Sequence, residues 1–346
     1  MKKGILLVNL GSPDSPSVKD VRKYLSQFLN DPFVIDINPI ARFFLVNFLI
    51  VPTRSPKSAK LYEQIWTSEG SPLIIHSMKQ KELLQKSLGS EYAVELGMRY
   101  RNPSIESAFK KLVEQKVKSI VAIPLYPQWA SSSTESSVVE IKRAANKFGF
   151  ANLKIIEKFY DNEDYLEALV DVAGKYLTPV PSPITERGRG ERWDFFVFSY
   201  HGLPERQIKK IYPNHCAIDD NCCAAVSKKN KLCYRAACYY TTRELVKRLS
   251  IPEGKYITSF QSRLDDKWLK PYSDKVIEEK AKEGIKKILV FSPAFVADCL
   301  ETIYEIGKEY DALFRKHGGE KLQLVESLNE NPKWIECLKK MVIGHQ

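Results

Sequence analysis

One histidine and a short row of acids are the residues of this chain best suited to chemistry on a small ligand. His201 follows directly on an apolar run, and Asp298, Glu301 and Glu305 follow another. Their i, i+3, i+7 spacing predicts three carboxylates on one face of a helix. A neutral imidazole can accept protons near pH 7, and imidazole with carboxylates also suits a weakly held divalent ion. The pattern leaves acid–base and metal chemistry both open.

A structural role would also account for these residues. A lone histidine is commonly a structural hydrogen-bonding group, and acids in the first turn of a helix complement its dipole. A functional role is favoured because His201 and the acids each lie beyond the carboxyl end of a predicted strand, which is where open parallel sheets bind ligands.

Polar and aromatic residues of the first half predict a binding pocket. Arg99 offers a bidentate fork for a carboxylate, and Tyr126 and Trp129 offer flat faces. A serine run centred on Ser132 follows them. Together they predict a pocket for a large, flat, apolar molecule with acidic side arms.

Five of the seven cysteines fall within 23 residues, at Cys216, Cys222, Cys223, Cys233 and Cys238. Cysteines of a cytosolic chain are usually scattered and reduced, so this clustering favours a metal or a metal cluster over disulfides. The spacing lacks the paired Cys-x₂₋₄-Cys knuckles that are typical of zinc sites.

These residues must be positioned by an α/β framework, because apolar runs without strict alternation are separated by helix-length segments. Such runs predict parallel strands that are buried on both faces. The pattern occurs twice, which predicts two similar Rossmann-like domains at residues 1–160 and 161–346. The predicted strands are Gly4–Leu10, Ala93–Met98, Ser119–Leu125, Leu153–Phe159, Phe195–Tyr200, Tyr256–Phe260, Lys287–Phe291 and Leu322–Ser327.

Three segments interrupt this framework. Residues 178–192 begin with closely spaced prolines and have no apolar face, so we expect a mobile surface insertion. Residues 211–240 form the cysteine-rich loop. Residues 41–50 are strongly apolar and suit an exposed lip or a core helix, and residue counts favour the core helix.

Composition excludes several classes of protein. No apolar run is long enough to span a bilayer, and the N-terminal apolar run is too short for a signal peptide, so we expect a cytoplasmic protein. The net charge of +11 is spread along the chain without a nucleic-acid motif, which argues against nucleic-acid binding. A basic surface still allows peripheral contact with anionic lipid, or with substrates that bear carboxylates.

Nine segments that together extend over nearly the whole length of the chain can be compared with known families. They are, in order, ILLVNLGSP, VRKYLSQFLNDP, SAKLYEQIWTSEGSPL, GMRYRNPSI, IPLYPQWASSSTESS, FSYHGLPER, TTRELVKRL, ITSFQSRLDDKWLKPY and SPAFVADCLETIYEIG. In these segments the chain resembles the ferrochelatases. The resemblance implies two Rossmann-like domains with a porphyrin in the cleft between them, and insertion of Fe²⁺ into protoporphyrin IX to form haem.

The resemblance also assigns roles to residues. His201 and Glu301 match the essential histidine and glutamate of the family, and Asp298 and Glu305 extend the acidic row. The histidine is either the proton acceptor or a metal ligand, and the acids handle iron or conduct protons. The porphyrin-side residues of the family correspond to Arg99, Tyr100 and Tyr126.

Some ferrochelatases hold a [2Fe–2S] cluster with four cysteines, and certain bacterial members resemble this chain in placing them in such a loop. The resemblance therefore implies that four of the five clustered cysteines bind a cluster, with Cys238 the first to leave out. The alternatives are a chelatase for another metal or tetrapyrrole, such as cobalt or coproporphyrin III, and a non-catalytic porphyrin-binding redox sensor.

Overall fold

The computed structural model describes residues 2–177, 192–213 and 216–345. These residues form two compact units, 1–159 with 334–346, and 160–333. Among the described residues, each unit has one four-stranded parallel sheet flanked by helices. The prediction of an α/β protein with two similar parallel sheets is confirmed. Residues 178–191, nearly all of the expected insertion, lie outside the described residues.

The sheet of the first unit has the strand order β2-β1-β3-β4. Ile5 at its centre pairs with Val94 on one side and Val121 on the other. The branched, fully buried residues of these strands explain the pairing, since they pack well on a sheet that is covered on both faces. The strands are β1 (Lys3–Asn9), β2 (Tyr92–Met98), β3 (Ile120–Pro124) and β4 (Leu153–Ile155).

Three helices of the first unit, those that follow Ser17, Asn38 and Ser104, begin at a side-chain cap. The Ser17 side chain accepts the backbone N–H of Asp20, which starts the first helix. The helices are α1 (Val18–Leu29), α2 (Pro39–Phe44), α3 (Val51–Glu63), α4 (Pro72–Leu88), α5 (Ile105–Glu114) and α6 (Ser136–Lys147), with π-helical turns at Leu45–Ile50 and Ser131–Glu135.

The second unit repeats this arrangement with the strand order β6-β5-β7-β8. Phe198 at its centre pairs with Thr258 and Phe291, so the strand that leads to His201 lies in the middle of the sheet. The strands are β5 (Phe195–His201), β6 (Tyr256–Gln261), β7 (Lys287–Phe291) and β8 (Lys321–Leu324).

Helices of unequal length connect these strands. A π-helix, Glu301–Tyr310, follows β7 and runs directly into α12. The helices are α7 (Glu163–Gly174), α8 (Glu205–Ile211), α9 (Asp220–Cys223), α10 (Tyr234–Arg248), α11 (Ser273–Lys282), α12 (Asp311–Lys316) and α13 (Pro332–Gly344).

The last helix, α13, packs with the first unit, whereas the predicted second domain extended to residue 346. Trp334 is completely buried, and its ring centroid lies 5.5 Å from that of Phe159 at the end of the first unit. The chain therefore returns to the first unit after residue 333. No described helix is long and apolar enough to cross a membrane.

The apolar segment at residues 41–50 is exposed, so the expectation of a core helix was wrong. Val46 is buried in the described turn, but its neighbours face outward and several stack on one another, with the Phe44 and Phe48 centroids 5.6 Å apart. The segment resembles a core helix in composition because it is apolar on most sides. The exposed fractions are 70% for Ile40, 52% for Phe43, 57% for Phe44, 68% for Phe48 and 59% for Leu49.

Candidate functional site

His201 is oriented by the peptide that follows it. Its Nδ1 lies 2.7 Å from the carbonyl oxygen of Gly202, and the Gly202 N–H donates to the carbonyl of Gln261 at 2.8 Å. Because a carbonyl only accepts, Nδ1 must carry the proton and Nε2 is left with its lone pair. A Cβ at residue 202 would lie 2.7 Å from the Gln261 oxygen, so this close approach requires glycine.

Glu305, the last residue of the acidic row, is held by three hydrogen-bond donors. Its carboxylate accepts the Ser262 N–H at 2.9 Å, the Ser262 hydroxyl at 2.5 Å and the Tyr310 hydroxyl at 2.9 Å. Ser262 has a φ of 62°, a left-handed conformation that aims both of its donors at one carboxylate. Burial raises the pKa of Glu305 above its ordinary value, although these donors oppose the shift.

His201 and Glu301 both act electrostatically on Glu305. The pKa of Glu305 is lowered by the charge of His201 and raised by that of Glu301, so both groups lie within electrostatic reach. Glu301 and Glu305 belong to the helix that follows β7. Residues four apart lie close to one face in α-helical and π-helical turns alike, so the two glutamates share a face.

Asp298 departs from the predicted row. It lies in the turn before the helix, where it is 8% exposed. Its carboxylate accepts the Asn329 side-chain N–H at 2.7 Å, the Thr302 hydroxyl at 2.9 Å and the Ser327 N–H at 3.2 Å. Asp298 therefore joins this turn to the segment after β8, and the i, i+3 spacing failed to predict this because no helix connects it to Glu301.

In the first unit, Arg99 and Tyr100 converge on Asp31. The Asp31 carboxylate accepts Arg99 Nη2 at 2.5 Å, the Tyr100 hydroxyl at 2.8 Å and the Ser136 hydroxyl at 2.6 Å. Arg99 Nε donates to the Ser136 hydroxyl at 2.7 Å. Tyr100 is completely buried, and burial raises its pKa. Part of the Arg99 fork is therefore taken by a carboxylate of the protein itself.

The other residues predicted for the binding pocket lie near the end of β3. Tyr126 is half-buried, with its hydroxyl 3.4 Å from that of Ser137, and Trp129 is 8% exposed. Ser132 lies half-buried in the π-helical turn that precedes α6. Of this set, Tyr126 and Ser132 keep the more accessible side chains.

Four cysteines of the loop form a chain of neighbouring thiols. The Sγ atoms of Cys222 and Cys223 lie 3.7 Å apart. Cys216 is hydrogen-bonded to Cys222, and Cys223 to Cys233. The second contact raises the pKa of Cys223 and lowers that of Cys233, because Cys223 donates and Cys233 accepts.

Cys238 differs from these four. It is fully buried in α10, where its thiol is hydrogen-bonded to Tyr234, and burial raises its pKa. Cys299 and Cys337 are buried elsewhere. Within residues 2–177, 192–213 and 216–345, no three or more His, Cys, Asp or Glu side chains are arranged to hold a metal ion.

A cavity of about 690 Å³ lies between α10 and the edge of β6. Arg235, Tyr239 and Arg243 line it on the helix side, close to the cysteine loop. None of His201, Glu301 and Glu305 lines it, so this cavity is separate from the histidine and its acids.

The sequence patterns did not point to several residues on which this geometry depends. Asp31 is an acid in an apolar segment, directly before a proline, and Ser262 follows directly on β6. The signal for Asp31 was an acid within an apolar segment, and the signal for Ser262 was a polar residue at the end of a strand. The sequence carried no signal for Tyr310 or Asn329. Tyr310 bonds Glu305, five residues before it, and Asn329 bonds Asp298 in a different segment.

Comparison with known proteins identifies relatives over the whole chain. The ferrochelatase family model matches residues 2–346. Ferrochelatase of Coxiella burnetii (strain CbuK_Q154) is 41% identical over 98% of this chain and 93% of its own length. Ferrochelatase of Legionella pneumophila (strain Paris) is 41% identical over 99% of each chain, and that of Pseudomonas fluorescens (strain SBW25) is 42% identical over 97% and 96%.

A solved structure shares the fold at low sequence identity. SirB from Bacillus subtilis, determined with Fe³⁺, matches with a TM-score of 0.52 and 15% identity, covering 99% of this chain and 95% of SirB. That likeness supports the two-sheet α/β architecture.

The hydrogen bonds of Asp31 with Arg99, Tyr100 and Ser136, called here the Asp31 network, lead to a prediction about stability. We expect Asp31→Asn to lower the free energy of unfolding by about 3–5 kcal/mol, because it leaves Arg99 beside a neutral group in a buried site. Asp14→Asn is the matched control, since the Asp14–Arg101 pair is more exposed and should contribute about 0–1 kcal/mol. Urea unfolding of both variants checks this, and equal losses would contradict the role of Asp31.

Proposed function

The chain belongs to the ferrochelatase family, and on that premise we propose how its residues perform the reaction. The protein is a haem-synthesis ferrochelatase, a metal chelatase that acts on a porphyrin and Fe²⁺. We propose protoporphyrin IX as the porphyrin and His201 as the group that accepts its protons.

The assignment of His201 depends on one observation, the contact between its Nδ1 and the Gly202 carbonyl. Two pyrrole N–H protons must leave as Fe²⁺ enters the ring. With Nδ1 committed as a donor, Nε2 is available as the acceptor, and a half-buried imidazole is still reachable by a ligand. The same lone pair could serve as a metal ligand, and of the two roles we propose that of proton acceptor.

Glu301 and Glu305 are proposed to carry protons or iron on the same side of the sheet as His201. The raised pKa of Glu305 keeps it protonated to a higher pH than an exposed glutamate, so it can take up and release protons. Ser262 and Tyr310 hold that carboxylate in place. Asp298 is proposed to position the turn before the helix, because its own oxygens already accept bonds from the protein.

The first unit is proposed to supply porphyrin contacts. Tyr126 and Ser132 keep accessible side chains that suit the ring and its polar edge, and Trp129 supports them from a more buried position. Arg99 and Tyr100 are proposed to be held in place by their hydrogen bonds to Asp31. The guanidinium N–H groups of Arg99 that Asp31 does not use are proposed to bind a porphyrin propionate. Such remote contacts can supply the energy that bends the macrocycle.

Replacement of His201 tests the catalytic assignment. We expect His201→Ala to lower the rate of haem formation by about 10²–10⁴-fold, the range for loss of a general base. The measurement is anaerobic incubation with Fe²⁺ and protoporphyrin IX, followed by the haem spectrum. His317→Ala is the matched control, because His317 pairs with Glu278, which belongs to another helix.

A second variant separates catalysis from porphyrin binding. Glu301→Gln should still bind protoporphyrin, as judged by fluorescence quenching, yet form haem slowly. If His201→Ala and His317→Ala formed haem at equal rates, the role of His201 would be wrong. If Glu301→Gln formed haem at the wild-type rate, the role of Glu301 would be wrong.

We also propose that Cys216, Cys222, Cys223 and Cys233 hold a [2Fe–2S] cluster. Two thiolates that each lie ~2.3 Å from one tetrahedral metal are ~3.7 Å apart, which is the separation of the Cys222 and Cys223 sulfurs. Each iron of such a cluster takes two protein ligands, so paired thiols suit it better than three ligands around one ion. A bound cluster would supply a one-electron redox centre.

Serine variants test the choice of ligands. Protein purified anaerobically should contain iron and acid-labile sulfide in equal amounts, and Cys233→Ser should lose most of both. Cys238→Ser is the control from the same segment and should keep both iron and sulfide, because the Cys238 thiol is hydrogen-bonded to Tyr234. Equal sulfide content in the two variants would show that the four ligands are wrongly chosen.

The exposed apolar face of α2 and the π-helical turn after it supports peripheral contact with a membrane. We expect Phe44→Ser with Phe48→Ser to reduce co-sedimentation with anionic lipid vesicles, because these side chains are more than half exposed. Val139→Ser on α6 is the control at an isolated exposed residue. If the Phe44→Ser, Phe48→Ser double variant and Val139→Ser bound the vesicles equally well, the proposed membrane contact would be wrong. The cytoplasmic location stays a prediction.

A further inference from the structure

Arg235 lies against the cysteine loop and is 5% exposed. Its Nη1 donates to the Asp219 carbonyl at 2.7 Å, and its Nη2 to the Tyr239 hydroxyl at 3.0 Å. The guanidinium also stacks over the Tyr239 ring, 4.5 Å from its centroid, and hydrogen-bonds the Cys223 thiol. These contacts place a permanent positive charge, in one orientation, beside a proposed cluster ligand.

Asp219, whose backbone carbonyl accepts the hydrogen bond from Arg235, is also the N-cap residue of α9. The Asp219 side chain accepts the backbone N–H of Cys222 at 2.7 Å and so begins α9, which carries Cys222 and Cys223. Arg235 belongs to the following helix, α10, which starts directly after Cys233. A single side chain therefore connects the segments that carry three of the four proposed ligands.

We propose that Arg235 sets the reduction potential of the [2Fe–2S] cluster, an inference that rests on the cluster proposed above. Four thiolates and two sulfides outweigh the charge of the two irons, and reduction adds one more negative charge. A buried cation stabilises the reduced form more than the oxidised form, because the attraction grows with the charge and is weakly screened in the interior. The arginine therefore raises the potential, and its removal lowers it.

Potentiometric titration with dithionite, followed by the EPR signal of the reduced cluster, tests this. Arg235→Gln removes the charge but keeps hydrogen-bond donors, and we expect its midpoint to be more negative than that of wild type. Arg235→Lys keeps the charge and should lie between the two. Arg248→Gln removes a charge from the same helix at a position paired with Glu163 and Glu167, and should match wild type.

Each outcome separates the two proposals. Wild-type protein without iron, acid-labile sulfide or the EPR signal would overturn the cluster, and this inference with it. A cluster in every variant, with equal midpoints for Arg235→Gln and Arg248→Gln, would overturn the role of Arg235 alone. If Arg235→Gln does not retain the cluster, Arg235→Lys carries the test, because its ammonium keeps the charge but cannot contact both Asp219 and Tyr239 as the guanidinium does. Its midpoint is then expected to lie below that of wild type, and a midpoint equal to that of wild type would overturn the inference.

Discussion

Parallel pairing of β5 with β6 and β7 is the constraint on which the candidate site depends. All three strands end at the same edge of the sheet, so the segments that follow them meet there. His201 ends β5, Ser262 follows β6, and the helix with Glu301 and Glu305 comes after β7. One sheet thereby gathers residues that lie about 100 positions apart along the chain.

Buried carboxylates stabilise the turns around this arrangement and in the first unit. Asp298 and Asp31 each accept several hydrogen bonds from distant segments, which compensates the cost of burying these polar groups. Glu305 differs, because burial raises its pKa in spite of three donors. A carboxylate that ionises reluctantly beside an imidazole is suited to moving protons, whereas a saturated one is suited to holding structure.

The cysteine loop has few regular elements, so short polar contacts hold it in place. Asn230 donates to the carbonyls of Cys222 and Ala225, and Tyr212 accepts the N–H of Leu232. These contacts bring the thiols close to one another. Contacts that fix the loop would lessen the conformational entropy lost on binding the proposed cluster.

The sequence alone predicted the two-sheet architecture, because its apolar runs without strict alternation are typical of buried parallel strands, and a strand lies at each of the eight predicted positions. It also singled out His201 and the two glutamates, since both follow such strands. Tertiary structure decided which acids belong together, because Asp298 is bonded to Asn329, a partner 31 positions away that spacing along the chain cannot reveal. It likewise exposed the apolar helix at residues 41–50 and joined Arg99 to Asp31. In each case the deciding contact is made between segments distant in sequence, so it exists only after the chain has folded.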